Sequence, residues 1–322
     1  YTLTEKPHEA IFSYIKNLDQ RQNYRQQQNI RHMRLYGNQE YMGVGVYNYA
    51  KTEQSYNVAN RVTLNIVQSM VDTVTSKIGK NRPRPMFLTD DGNFTLKTRA
   101  KKLSQFAEGC FYSTDYYAKA VKAFQSAAIF GTGAIKIYRE GDEIKAENVF
   151  IDELMVNDDE AYYGQPRQMH QRKWIHRDVL KQMFPASRGA IESATEDSGR
   201  YDEFKDRLGE MLLVIESWHL ASGPKAKDGK HVISIGNETL YAGKWDKDYF
   251  PFVFINWNQP PLGFWGQGIA EQLTGLQVEI NKLLRTIQIS MHLVSVPKIF
   301  IEATSKVVDA HLNNKIGGII RY

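Results

Sequence analysis

Sulfur is scarce in this chain: one cysteine, Cys110, stands among 322 residues. That count excludes an intrachain disulfide framework and any Cys-x-x-Cys metal or redox site, and it fits maturation in a reducing cytoplasm. Long apolar runs are also missing. None reaches the roughly 18 residues that a membrane span needs, so no membrane is expected as a partner. Charge of one sign is missing too, because 41 Lys and Arg are interspersed with 36 Asp and Glu for a net charge of +5. Such a balance permits contact with DNA without arguing for it. The eight histidines show no His-x-His or His-Glu-x-x-His spacing, and no Gly-x-Ser-x-Gly elbow occurs. No catalytic residue, resident metal or cofactor is therefore expected.

An apolar fraction of 42% is enough for a substantial core in one large domain or two smaller ones. Residues 5–36 read as helical, with Ile11, Ile15 and Leu18 on one stripe, then become polar through "RQNYRQQQNIRHMR", which suggests a solvated or intersubunit face. A polar turn region fills 37–56. Asn57 then offers a cap for a helix on which Val67, Met70, Val71, Val74 and Ile78 recur by threes and fours before Gly79 and Pro83. Helices are also predicted over 94–112 and 115–130; in the first, Cys110 follows Leu103 and Phe106 and reads as a buried thiol. From Gly133 the period shortens. "AIKIYRE", "EIKAENVFI", "RQMHQRKWI", "MLLVIESWH", "HVISIG", "TLYAGKW" and "FPFVFINW" read as strands, with short helices near 176–184 and 200–210. A long helix over 267–294 and a strand pair near 298–302 and 317–321 close the chain. Helices and strands segregate instead of alternating, which predicts an α+β fold.

Three short stretches invite chemistry. "GTG" at 131–133 has glycines but the wrong polarity for a phosphate loop, since a helix precedes it and a strand follows; a helix C-cap is the better account. The carboxylates Asp152, Glu153, Asp158, Asp159 and Glu160 suit a hard divalent cation but lack calcium-loop spacing and a second acidic cluster. A solvated loop, or a partner for a neighbour's basic residues, fits them better; a metal-dependent nucleic-acid-processing enzyme is the alternative function. "HQRKWIHR" at 170–177 interleaves aromatic and basic residues as a base-stacking surface would, yet an amphipathic strand entering a helix gives the same pattern.

The long helix says most. At 3.6 residues per turn, Ile269, Leu273, Leu276, Ile280, Leu283, Ile287, Met291 and Val294 fall in a band about 80° wide. That is a heptad-like seam. Thr274, Gln277, Asn281 and Gln288 form a polar flank, and Glu271, Lys282 and Arg285 lie opposite the seam. Two readings stand: a core helix under a sheet, or a strut packed beside copies of itself with its polar faces turned to a channel or to neighbours.

In "NRPRP", "FQSAAIFGTGAIKIYRE", "VFIDELMVNDDEAYYGQPRQMHQRKWIHRDVLKQMFP" and "FPFVFINWNQPPLGFWGQGIAEQLTGLQVEINKLLRTIQ", taken in their order along the chain over about 57–300, the sequence resembles the portal (head-to-tail connector) proteins of tailed bacteriophages. The resemblance implies a wing over 1–262, helical over 1–130 and strand-rich over 131–262. It also implies a first stem helix over 263–294 and the start of a small clip over 295–322. The family's second stem helix, tunnel loop, long wing helix and crown have no counterpart here, which is expected of a fragment of a longer product.

The function implied is a structural subunit of a ring, usually of twelve copies, at one capsid vertex, through which double-stranded DNA is packaged and ejected. Its implied partners are copies of itself, DNA in the channel, the terminase large subunit, head-completion or adaptor and tail proteins, and the major capsid protein. The implied location is the virion, after assembly in the host cytoplasm. Gly263, Gly266 and Gly268 would then turn the chain sharply while Phe264 and Trp265 bury against the wing and set the stem's angle. On that expectation Gly266→Val harms ring assembly more than folding. Lys282 and Arg285 become candidates for bore-facing or intersubunit contact, and Lys298, Lys306, Lys315 and Arg321 for docking motor or adaptor proteins.

Overall fold

Proline at the first helical position opens α1 (Pro7–Arg21), where its missing N–H costs nothing. The computed structural model describes residues 5–38, 63–90, 92–194, 211–223 and 225–295. They belong to two units: one takes its described residues from within 1–56 and 65–277, the other from within 57–64 and 278–322.

In the first unit, α1 buries the predicted stripe Ile11, Ile15 and Leu18 against Met155, Ile215 and Val232. The helical stretch breaks at Gln22, and α2 (Asn23–Tyr36) follows. Its buried face is polar, with Gln26, Asn29 and His32 beside Leu35. The expectation of a solvated or intersubunit face is thus corrected for these residues. Helix α3 (Ile66–Gly79) is capped by Asn65, whose side chain accepts from the Gln68 N–H at 3.0 Å, so the cap falls eight residues beyond the expected Asn57, which lies outside the described residues. Val67 and Val71 are buried, while Met70 and Ile78 are exposed.

Helix α4 (Phe94–Ser113) starts at Asn93, whose side chain accepts from Thr95 N–H at 3.0 Å. Only Ala100 is buried along it, and Cys110 is half-buried, not the enclosed thiol expected. Helix α5 (Tyr116–Phe130) is lined by Ala123, Ala127 and Ala128. These short side chains let it lie close against the following strand, where a Cβ on Gly133 would run into the Ala123 carbonyl.

The strands are β1 (Thr132–Glu140), β2 (Glu143–Val149), β3 (Leu154–Met155), β4 (Gln168–His176), β5 (Met211–His219), β6 (Lys230–Ser234), β7 (Thr239–Lys244) and β8 (Phe252–Asn256). The seven strands predicted between Gly133 and Trp257 all form. The two-residue β3 and the short helix α7 (Arg188–Ser193), which follows α6 (Arg177–Met183), are too brief to show a period. One sheet has the order β2-β1-β8 and the other β3-β4-β5-β6-β7, every pairing antiparallel. Antiparallel sheets with helices set apart from them make the fold α+β, as expected. Ala134, Val149, Phe252, Leu154, Met169 and Trp218 bring the two sheets into one core.

The last helix, α8 (Ile269–Ser295), spans 27 residues, or ~40 Å at the usual rise. Ile269 and Ala270 join Val67, Val71, Ala128 and Ile129 in a second core, with Leu273 half-buried beside them. In the second unit, the Leu64 N–H donates to Asn281 Oδ1 at 3.4 Å. The strand pair expected near 298–302 and 317–321, the helix near 200–210 and the turn region beyond residue 38 lie outside the described residues.

Candidate assembly surface

The turn that launches α8 is tied to the α5–β1 junction through the Thr132 side chain and to the end of β8 by a backbone bond. Gly131 closes α5 with φ +93°, its N–H on the Ala127 carbonyl at 2.8 Å, as the C-cap reading of "GTG" requires. The Gly131 carbonyl accepts from Trp257 N–H at 2.9 Å. Thr132 Oγ1 accepts from Gly266 N–H at 2.8 Å and donates to Asn256 Oδ1 at 2.9 Å. Gln267 N–H reaches the Asn258 carbonyl at 2.7 Å.

Glycine is needed here for two separate reasons. Gly263 has φ +98°, a conformation that side chains disfavour. Gly266 and Gly268 have no such φ and serve close approach instead. A Cβ on Gly266 would overlap the Gly131 carbonyl, and one on Gly268 would stand 2.6 Å from the Ile129 oxygen. The expected sharp turn therefore belongs to Gly263 alone. For Gly266→Val the clash lies inside the chain, so folding is expected to suffer as well as assembly.

Phe264 and Trp265 pack as expected against the sheet core. Phe264 meets Phe254 edge-on at 5.0 Å and Trp265 at 4.9 Å. The Arg25 guanidinium lies 3.9 Å from the Trp265 ring, and the indole N–H donates to Asp158 at 3.1 Å. Helix α2 thus helps hold the turn, a role its composition did not suggest.

Each carboxylate of the 152–160 cluster is already engaged within the chain. Asp152 accepts from Asn29 at 2.6 Å and lies 3.7 Å from Arg25. Glu153 accepts from Gln171 at 3.0 Å, Asp159 pairs with Arg21 at 2.7 Å, and Glu160 accepts from the Arg167 N–H at 3.1 Å. Burial raises the Glu153 pKa against that bond from Gln171. Among the described residues no group of three or more His, Cys, Asp or Glu is placed to hold a metal ion. The partners anticipated in a neighbour are found in this chain.

The same holds for "HQRKWIHR". Arg172 pairs with Asp19 at 2.7 Å, Lys173 with Glu147 at 3.1 Å, and Arg177 donates to the carbonyls of Ile191, Glu192 and Ala194. His176 Nδ1 accepts from the Asp178 N–H at 3.2 Å at the start of α6. The strand-into-helix reading is the right one, and the basic side chains tie elements together.

A buried charge went unnoticed in the sequence because its partners are distant along the chain. Lys136 on β1 bonds Glu216 on β5 and, at 3.1 Å, Gln171 on β4. Its ammonium also lies 5.0 Å from the Trp218 ring. Glu216 accepts from His231 at 2.8 Å. Burial pushes its carboxyl up, but the His231 bond and the Lys136 charge outweigh that and hold it below the usual value.

On α8 the predicted seam and its polar flank exchange roles. Gln277, on the flank, is 2% exposed, and its amide oxygen accepts from the Ile66 and Val67 N–H groups at 2.8 and 3.3 Å, so it caps α3. Thr274 bonds the Ala270 carbonyl of its own helix at 2.7 Å. The flank expected to meet a channel or neighbours is thus engaged at home. Among the described side chains of the seam, Ile269 is buried and Leu273 and Ile280 are half-buried. Leu276 is 52% exposed, and in the second unit Leu283, Ile287 and Met291 are 61%, 55% and 67% exposed. Lys282 pairs with Glu279 at 2.8 Å, and Arg285 is exposed. Lys298, Lys306, Lys315 and Arg321 lie outside the described residues.

The longest described helix of this α+β fold carries an exposed apolar stripe, the kind of surface that marks interaction sites. Residues 50–259 match the Phage P22-like portal protein family, and the chain belongs to that family. A search of curated proteins finds no match. Portal proteins are structural, not enzymatic; the family implies a place in the virion capsid and assembly as rings. No described helix is long and apolar enough to cross a membrane.

Proposed function

We propose that this chain is the repeating subunit of a twelvefold ring at one capsid vertex, through which double-stranded DNA is packaged and later ejected. The observation that carries the reading is the exposed apolar stripe of α8, from Leu276 through Leu283 and Ile287 to Met291. In water that stripe is unfavourable, and neighbouring copies of the same helix would cover it with knobs-into-holes packing. In this reading residues 1–262 are the wing, 263–294 the first stem helix and 295–322 the start of the clip. The glycine junction at 263–268 fixes the angle at which the stem leaves. A fixed angle matters because each subunit interface repeats any error until the ring fails to close.

Lys282 and Arg285 are the cations for bore-facing or intersubunit contact. Loose contact suits transport, since many tight phosphate bonds multiplied around a ring would stall the DNA. Lys298, Lys306, Lys315 and Arg321 are the docking residues for the terminase large subunit and for adaptor and tail proteins, and the major capsid protein surrounds the ring. Assembly takes place in the host cytoplasm before the particle matures.

The test is negative-stain imaging and light scattering of the protein expressed from its full-length gene, as wild type and as the double variant Leu283→Glu/Ile287→Glu. Both side chains are exposed in the monomer, so folding should change by less than about 0.5 kcal/mol. Wild type should give rings with a central opening and the variant a one-chain mass with an unchanged circular-dichroism spectrum. Rings of equal yield from both proteins would defeat the proposal.

A further inference from the structure

A cleft of about 1280 Å³ opens in the first unit beside the end of β7. Its floor is aromatic: Phe252 and Phe254 project from one face of β8, Phe264 comes from the turn before α8, and Met169 lies beneath. Its lining is basic, with Arg167, Lys225, Lys227, Lys244 and Lys247 against two carboxylates, Asp246 and Asp248. Among the described residues none of these five cations is in an ion pair. Lys247 lies over the Trp245 and Tyr249 rings at 5.0 and 5.5 Å, so the lining joins cations to aromatic faces.

We propose that the cleft docks an acidic linear peptide of a partner protein, with an aromatic or large aliphatic side chain as its anchor. Three observations select that occupant. The volume exceeds the roughly 300–1,000 Å³ of ordinary small-molecule pockets, so a chain segment fits better than a metabolite. The excess of positive charge in the lining complements separated carboxylates and speeds their encounter. The apolar floor offers a desolvated seat for one anchoring side chain, the arrangement that concentrates binding energy in interfaces.

Single-stranded nucleic acid fits less well. Phe254 and Phe264 are locked edge-to-face with 82° between their planes, so they offer poor stacking platforms for successive bases. Asp246 and Asp248 in the lining also repel a continuous phosphate backbone.

The experiment is fluorescence anisotropy of the full chain titrated against a fluorescein-labelled peptide of Asp, Glu, Phe and Leu. A second peptide carries Ser in place of Phe and Leu, and labelled oligothymidylate is the third probe. The acidic apolar peptide should bind saturably, and Lys227→Glu/Lys244→Glu should weaken it tenfold or more with an unchanged circular-dichroism spectrum. Should that variant misfold, the milder Lys225→Gln/Lys227→Gln must still weaken binding. Equal affinity for the serine peptide, no loss in a folded lysine variant, or tighter binding of oligothymidylate would each overturn the proposal.

Discussion

Alanine placed at Gly268 and at Gly275, both belonging to the α8 region of the first unit, should move stability in opposite directions. At Gly268 a Cβ would stand 2.6 Å from the Ile129 oxygen, 2.8 Å from the Ala128 oxygen and 2.8 Å from the Gly131 nitrogen. All three are backbone atoms, and Gly131 N–H is committed to Ala127 at 2.8 Å, so no side chain can swing aside. Relieving such overlap costs about 1–3 kcal/mol, and the thermal midpoint falls by roughly 2–4 °C for each kcal/mol in a unit of this size. A drop of roughly 2–12 °C is expected. At Gly275 nothing lies within 4 Å of the added Cβ, and the residue sits inside α8. Alanine there should stabilise by about 0.5–1 kcal/mol, because the unfolded chain loses freedom while the helix loses nothing. Differential scanning calorimetry of the two variants reads both signs at once. Equal shifts in the same direction, or an unchanged midpoint for Gly268→Ala, would refute the close-approach account of this glycine.

Two further outcomes follow from buried polar groups. Gln277→Ala should cost about 1–3 kcal/mol in chemical denaturation, since the Ile66 and Val67 N–H groups lose their common acceptor; Gln277→Glu, which keeps the oxygen, should cost less. His32 is held down to about 4, first by burial and then by the Arg31 charge. Protonation therefore favours the unfolded chain, where the group titrates near 6.5, and stability should fall as pH drops from 6.5 towards 4. The gap amounts to about 3 kcal/mol at its full extent. His32→Gln should flatten that part of the stability profile, and an identical slope in the variant would show that the histidine is not responsible.

How far the fold could be read beforehand depended on whether its cause was local. The α4 and α5 boundaries and seven strands followed from period and caps, because each segment's own side chains decide them. Asn65 lost to Asn57 in the reading because both are good cap residues, and only packing selects between them. The inward turn of Gln26, Asn29 and His32 was invisible, since polar residues at helical spacing read as solvated until Asp152 supplies Asn29 with a partner from far along the chain. For the same reason Gln277 passed for part of a channel face. The seam of α8 was legible in full, but periodicity cannot tell a covered stripe from an open one. At 263–268 the glycines stood out by composition, while the reason for two of them is a backbone that arrives from residue 131.

The α2 face has a further consequence for how this protein tolerates change. Greasy surfaces forgive sliding, whereas Asn29 on Asp152 and Gln22 on the Val156 carbonyl fit at one setting only. A lone replacement at either end strands its mate away from water, and losing Asp152 also takes the counter-charge from Arg25, 3.7 Å away. Drift at Asn29, Asp152 and Arg25 should therefore come as a set, with the docking angle of the helix the thing that gives way when only one member moves.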